Sequence, residues 1–453
     1  MTFEQAKDVL ERHGQGHVLK FWTTLDAGGR ERLLDQVSSL DFESVARMRA
    51  MLKDRRSAEA GAEPEAPDVV ELAGTARAAA VAEGEAELRA GRVAALVVAG
   101  GQGSRLGYDG PKGAYAIGPV TGRSLFYFHA RKIVGLCRRY GVRIPFYVMT
   151  SDANDEATRA HFEDHDYFGL DRRDVSFFIQ GMWPALDGEG RIVLDQPGHI
   201  FMSPDGHGGT LTALEKNGCL ADMERRGINS VYYFQVDNPL AEIADPAFIG
   251  LHVSRRADIS LKLCAKREPK EGLGVVVVRG GRYEMVEYTE LTDEQANRRT
   301  AAGELYFKYG SVAIHVFSFA FMKAEACKAM PLHVAHKKIP ICADDGSLVK
   351  PEANNGYKFE KFIFDVLPDA KTVLNLAFDR AEEFSPVKNA TGNDSPATCK
   401  HDMQAKWLRW FKAAGIQMPA TAAGAPVFPM EIDPAYALDV ADLKKKGISL
   451  KAE

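Results

Sequence analysis

The stretch 96–113, LVVAGGQGSRLGYDGPKG, constrains this chain more than any other. The apolar run that enters it, 94–99, has the pattern of a strand buried on both faces of a parallel sheet. The run then breaks into a loop carrying Gly100, Gly101, Gly103, Gly107 and Gly110. Backbone without Cβ lets a ligand come close to its N–H groups. Arg105 and Lys112 add two cations to the same loop. A strand that ends in glycine with cations close behind predicts a phosphate site. Two common templates fail on spacing. In the dinucleotide fingerprint GxGxxG the third glycine would come one place earlier than Gly107. In the P-loop GK is followed by Ser or Thr, whereas Lys112 lies between Pro111 and Gly113.

The rest of the chain narrows the context. A length of 453 residues exceeds what one core usually serves, so more than one domain is expected. The net charge of −5 provides no basic field for nucleic acid, so phosphate binding must be local. Six scattered cysteines form no CxxC pair, which argues against a zinc site or disulfide framework and for a reducing compartment. No apolar run reaches membrane-spanning length, and the acid-bearing N-terminal helix is no signal peptide. A cytoplasmic protein without membrane or nucleic-acid partners is expected.

Periodicity predicts helices through 2–57, including 18–25, 31–40 after Gly28-Gly29, and a helix capped by Asp41. The acidic, proline-bearing stretch 57–67 reads as a linker. From 92 onward strands and helices alternate: strands at 145–150, 175–179, 231–236, 259–266, 311–317 and 373–378, with helices at 123–140, 154–165 and 246–256. Such alternation predicts an α/β fold, a Rossmann-like, mainly parallel sheet flanked by helices. A hairpin is expected across Gly280-Gly281, an amphipathic helix at 357–367 with Phe359, Phe362 and Phe364, and a tail after 418 with little core. The predicted domains are a helical N-terminal region and linker (1–67), a central domain (68–385) and a small C-terminal region (386–453). Three strand ends are chemically distinctive: Gly100 onward, Gln180-Gly181 and Asp237-Asn238. Ligands of open α/β sheets bind beyond such ends.

The loop closely resembles the signature of the eukaryotic-type UDP-sugar pyrophosphorylases, nearest the UDP-N-acetylhexosamine branch. The resemblance runs on in order through QGMWP (180–184), MSPDGHGG (202–209), VDN (236–238), VEYTE (286–290), HKKIP (336–340), EKFIFD (360–365) and FSPVKN (384–389). It implies a nucleotidyltransferase that makes UDP-sugar and pyrophosphate from UTP and a sugar 1-phosphate, N-acetylglucosamine 1-phosphate first. Glucose 1-phosphate or broad specificity is the alternative. It also implies roles. Arg105, Lys112 and Lys388 would act on the phosphates, and Asp237 would ligate Mg²⁺. Gly100, Gly101, Gln180 and Gly206 would hold the nucleotide. Glu287, Phe362 and Phe364 would line the sugar pocket. His207 and Ser311 stand where acetamido-sugar members carry asparagine, and GHG is similar to the glucose and broad-specificity members. An imidazole and a hydroxyl in place of two amides change the donor and acceptor pattern offered to the sugar. Phe362 and Phe364 lie two apart, so core packing is the expected role of one of them. A dinucleotide-dependent oxidoreductase is disfavoured by the late third glycine. A non-catalytic sugar-nucleotide binder is disfavoured by the joint presence of Arg105, Lys112, Asp237 and Lys388.

Overall fold

The structure is a computed structural model that describes residues 1–53, 62–418, 421 and 427–446. Residues 57–61 of the expected linker, and parts of the tail, lie outside the described residues. The chain divides into two compact units, each assembled from three segments.

The larger unit holds Glu63–Ile179, Leu211–Lys328 and Val366–Glu453. Its seven-stranded sheet has the order Val373–Phe378, Ile259–Ala265, Tyr309–Ser318, Ser230–Gln235, Val93–Val98, Phe146–Thr150, Val175–Ile179. Tyr309–Ser318 runs antiparallel to both neighbours and the remaining pairings are parallel, as the alternating pattern predicted. Val93 to Val97 are all buried, because parallel strands in such a sheet are covered on both faces. The helix Leu125–Tyr140 packs against the sheet with Phe126, Phe128, Ile133 and Leu136 buried; the Ser124 side chain caps it and Gly141 ends it. The expected hairpin forms between Val275–Arg279 and Arg282–Val286.

The smaller unit holds Met1–Ala62, Gln180–Thr210 and Ala329–Asp365. The helices Phe3–Arg12, Ala27–Ser39 and Phe42–Lys53 bury Leu10, Leu33, Val37 and Met48 with Trp183, Leu186 and Phe359. The Gln15 amide donates to the Gly190 carbonyl at 3.0 Å and accepts from the Ile192 N–H at 2.8 Å.

Several local expectations are corrected. Residues 357–367 form no α-helix. Gly356–Glu360 is a strand between His333–Lys337 and Leu186–Asp187, followed by a 3-10 turn, Ile363–Asp369. Tyr357 and Phe359 are buried with the half-buried Lys358 between them, so a period of two wins over the helical spacing of the phenylalanines. Gly28 and Gly29 lie inside the helix Ala27–Ser39, because Asp26 accepts the Gly29 N–H at 2.7 Å and starts it earlier. Residues 18–25 form no α-helix, and 3-10 turns span Gly16–Leu19 and Trp22–Thr24. The described part of the tail has a core: Met430, Ile432, Ala437 and Leu443 are buried, and Arg131 holds Asp433 at 2.5 and 2.9 Å. Its apolar residues are too irregularly spaced for a periodicity reading to detect. No helix among the described residues is long and apolar enough to cross a membrane.

Two histidines in the larger unit link stability to pH. Burial pushes His129 down to about 3 and His252 down to about 4. Unfolded imidazole titrates near about 6.5. Below that value the unfolded chain takes up protons that the folded chain refuses, so stability falls with pH. The melting temperature is expected to decline from pH 6.5 to 4.5, and more gently in His252→Asn. Identical slopes in the two proteins would remove His252 from this account.

Candidate functional site

The strands Val93–Val98 and Ser230–Gln235 run parallel with Val98 opposite Gln235, so both chains leave the same sheet edge side by side. From the first comes the glycine loop and from the second Val236-Asp237-Asn238. The loop is gripped from behind by the segment that follows the strand Phe146–Thr150. Ser151 Oγ donates to the Gly100 carbonyl at 2.8 Å. The buried Asn154 amide donates to the carbonyls of Ala99 at 2.9 Å and Gly101 at 3.2 Å, and accepts the Ser151 N–H at 2.8 Å. The Lys112 N–H donates to Gly101 at 3.0 Å and closes the loop on itself. Gly113 follows; a Cβ there would stand 2.2 Å from the Phe126 ring, so only glycine lets the loop lie on the helix.

This closure brings Lys112 Nζ to 3.1 Å from Asp237 Oδ2, with both side chains 18% exposed. Arg105 is exposed and forms no ion pair among the described residues. Lys388 enters through a backbone zip. Asn238 Nδ2 donates to the Glu383 carbonyl at 2.7 Å, Asn238 Oδ1 accepts the Ser385 N–H at 3.1 Å, and the Asp237 carbonyl accepts the Val387 N–H at 2.9 Å. The Lys388 ammonium then lies 5.8 Å from the Phe384 ring centroid and is half-buried. Gly100, Gly101, Lys112, Asp237 and the segment bearing Lys388 thus share one edge of the sheet. Elsewhere in this unit Glu287 and Ser311 meet around Gly274. The Ser311 N–H donates to the Gly274 carbonyl at 2.8 Å, and Glu287 follows the pair Val275–Val286 on the opposite strand.

The smaller unit gathers a second set. The loop 205–209 is laid along Lys361: the Gly208 N–H donates to the Lys361 carbonyl at 2.9 Å and the Lys361 N–H to Asp205 at 2.8 Å. Gly206 has φ +83, and a Cβ there would sit 2.5 Å from the Lys361 carbonyl oxygen, so the approach excludes every other residue. Gln180 is buried and precedes Gly181, whose carbonyl accepts the Asp205 N–H at 2.9 Å. His207 stacks on Phe362 with centroids 5.4 Å apart and lies 5.4 Å from Phe364. Phe364 is buried and Phe362 half-buried. His207 Nδ1 accepts the Ile363 N–H at 3.2 Å, which places the ring proton on Nε2. Burial pushes this imidazole down to about 4, with His333 adding to the fall and Asp365 opposing it. His207 is therefore neutral near pH 7 and presents a donor.

The donor set can be tested against a divalent cation. Asp237 offers one hard carboxylate, and Mg²⁺ is commonly held by one or two carboxylates together with substrate phosphates, so the site fits. A second acidic group, Glu242, Asp245 and Glu383, has ligand atoms within 4.8 Å of one another. Each of its carboxylates already has a lysine partner: Lys262 Nζ lies 2.9 Å from Asp245 and 2.5 Å from Glu383, and Lys406 Nζ lies 3.1 Å from Glu242. That group is a buried ion network rather than a cation site.

Ser151 and Asn154 were absent from the residues picked out by motif, and Asn238, though part of the VDN motif, was assigned no role there. Their signal is polarity at strand ends, in TSDAN (150–154) and VDN (236–238).

Comparison with known proteins extends the picture. The family model for UTP–glucose-1-phosphate uridylyltransferase matches residues 55–394. The human UDP-N-acetylhexosamine pyrophosphorylase-like protein 1 is 38% identical, covering 95% of this chain and 90% of its own. The UDP-N-acetylglucosamine pyrophosphorylase of Saccharomyces cerevisiae is 38% identical over 72% of this chain and 71% of its own. A crystal structure of the UDP-N-acetylglucosamine pyrophosphorylase from Trypanosoma brucei superposes with a TM-score of 0.83 at 28% identity, covering 98% of this chain and 95% of that one. The motif order, the sheet and these matches agree, and the chain belongs to the UTP–glucose-1-phosphate uridylyltransferase family of UDP-sugar pyrophosphorylases.

Proposed function

We propose that this protein transfers UMP from UTP to a sugar 1-phosphate, with N-acetylglucosamine 1-phosphate as the preferred acceptor. The observation that carries this reading is the Lys112–Asp237 pair, set between a glycine loop and the chain zipped to Asp237-Asn238. A phosphate oxygen of the sugar 1-phosphate attacks the α-phosphorus of UTP in line. The bond from that phosphorus to the bridging oxygen breaks, and pyrophosphate leaves. Such a transfer needs positioning and charge neutralisation more than covalent help. The N–H groups of Gly100 and Gly101 face the nucleotide, with Gln180 and Gly206 holding its base and ribose. Arg105 and Lys112 take the charge of the departing pyrophosphate, and Lys388 holds the phosphate of the acceptor. Asp237 would hold Mg²⁺, which would neutralise phosphate charge when bound. Glu287, Ser311, His207, Phe362 and Phe364 face the sugar.

Pyrophosphate release is measured with UTP, Mg²⁺ and a panel of sugar 1-phosphates. Release with N-acetylglucosamine 1-phosphate above the others supports the reading, and no release with any sugar would overturn it. A second reading, glucose or broad specificity, is favoured by one observation, the neutral His207 donor at the position of an expected amide. His207→Asn is expected to raise the acetamido-to-glucose ratio of kcat/KM about tenfold, on the scale of one hydrogen bond. Equal ratios in the two proteins would take His207 out of sugar selection.

A further inference from the structure

The turn that carries Asp237 is held by the helix Leu125–Tyr140, through residues that no motif singles out. His129 and Lys132 lie three apart and so share one helix face. The ring of His129 bonds the Val236 carbonyl through Nε2 at 2.9 Å. Lys132 Nζ donates to the carbonyls of Pro239 at 2.5 Å and Ala241 at 2.7 Å. Carbonyls on both sides of Asp237 are therefore fixed from one helix, while the Asp237 carbonyl itself accepts from Val387. We propose that Lys132 is a positioning residue, whose ammonium sets the Asp237-Asn238 turn in the register that Asp237 and Lys112 need. The inference rests on the functional reading above.

The chemistry of the surroundings makes a purely packing role a poor account. Lys132 lines a cavity of about 370 Å³ whose walls include Phe128, Leu136 and Trp407 together with the charged Glu242, Asp245 and Lys406. An apolar side chain would fill that wall without the cost of desolvating an ammonium. Burial, with repulsion from Lys406 and against the attraction of Glu242 and Glu383, pushes Lys132 down to about 7, and its hydrogen bonds go to neutral carbonyls rather than to a carboxylate. What the ammonium contributes in return is local to residues 239–241. The carbonyls it holds belong to the turn, two and four residues after the carboxylate proposed to hold the metal.

Lys132→Met, Lys132→Gln and Lys132→Arg are compared with wild type in the full chain. Arg139→Ala serves as the control; it lies two turns along the same helix and pairs with Asp439 and Asp442. The readouts are kcat and KM for UTP, and Mn²⁺ binding in the presence of UTP by electron paramagnetic resonance. Lys132→Met is expected to lose about 10- to 100-fold in kcat and in Mn²⁺ affinity, the usual scale for removing a group that orients a metal ligand. Lys132→Gln keeps a neutral NH2 donor on a shorter side chain and falls between. The cavity leaves room for the larger head of Lys132→Arg, which restores two donors and is expected to recover most of both quantities; Arg139→Ala leaves both unchanged. Wild-type kcat and Mn²⁺ affinity in folded Lys132→Met or Lys132→Gln would overturn the inference, as would loss of folding in all three Lys132 variants. Absence of pyrophosphate release by wild type would instead sink the proposed reaction, and the Mn²⁺ measurement would still decide whether Lys132 positions Asp237.

Discussion

Lys112→Met is expected to lower kcat for pyrophosphate release by about 10²- to 10³-fold, the scale of losing one preorganised charge stabiliser. The ammonium lies 3.1 Å from Asp237 Oδ2 in a site where both side chains are largely shielded from water. There a charge acts more strongly than on an open surface, because less solvent screens it. The proposed leaving group gathers negative charge as it departs, so the loss should fall on kcat more than on KM for UTP. The substitution also leaves the Asp237 carboxylate without its cation. The double variant with Asp237→Asn separates the two effects, since groups in direct contact are not additive. Steady-state kinetics with N-acetylglucosamine 1-phosphate checks the expectation. A kcat within twofold of wild type would return Lys112 to a structural role as the partner of Asp237.

Asn154→Ala is expected to destabilise the protein by about 3 kcal/mol, since one side chain leaves several buried polar groups without partners. Its amide supports the carbonyls of Ala99 and Gly101, and its oxygen accepts from Ser151. Without that support the loop loses the arrangement that these hydrogen bonds fix, so on the proposed reading KM for UTP is expected to rise about tenfold, a cost of about 1.4 kcal/mol. Asn154→Asp is the sharper probe. It keeps the acceptor for Ser151 but sets a carboxylate against two carbonyl oxygens, and the expected loss is at least as large. Urea denaturation and UTP kinetics report the two effects separately. Wild-type values for both variants would show that the loop needs no support from behind.

The strands and most helices of the larger unit were legible because each carries a local signal. The run 94–99 is apolar throughout, the helix Leu125–Tyr140 is bounded by Ser124 and Gly141, and Val175–Ile179 and Val373–Phe378 stand between turn residues. Where two periods competed, the partners decided. Phe359 and Phe362 are compatible with helical spacing, but His333–Lys337 and Leu186–Asp187 offer a strand edge on each side of Gly356–Glu360. The short strands within Gln180–Thr210 lacked a signal for a related reason: segments of two or three residues carry too little pattern to read.

The candidate site divides along the same line. The sequence by itself determined its chemistry: a glycine loop with Arg105 and Lys112, an acid at a strand end in Asp237, and motifs that name the family. Composition and spacing carry that information because a loop needs particular residue types wherever it lies. Only the tertiary structure decided what stands beside what. Parallel pairing of Val93–Val98 with Ser230–Gln235 brings Lys112 to Asp237 across 125 residues of chain. Asn238 draws in the segment that leads to Lys388, and His129 and Lys132 hold the turn from the helix beside it. Those contacts are made largely to backbone carbonyls, which every residue possesses, and to N–H groups, which all but proline possess. No sequence pattern marks which of them will be used, so the register of the sheet and the packing of one helix had to supply it.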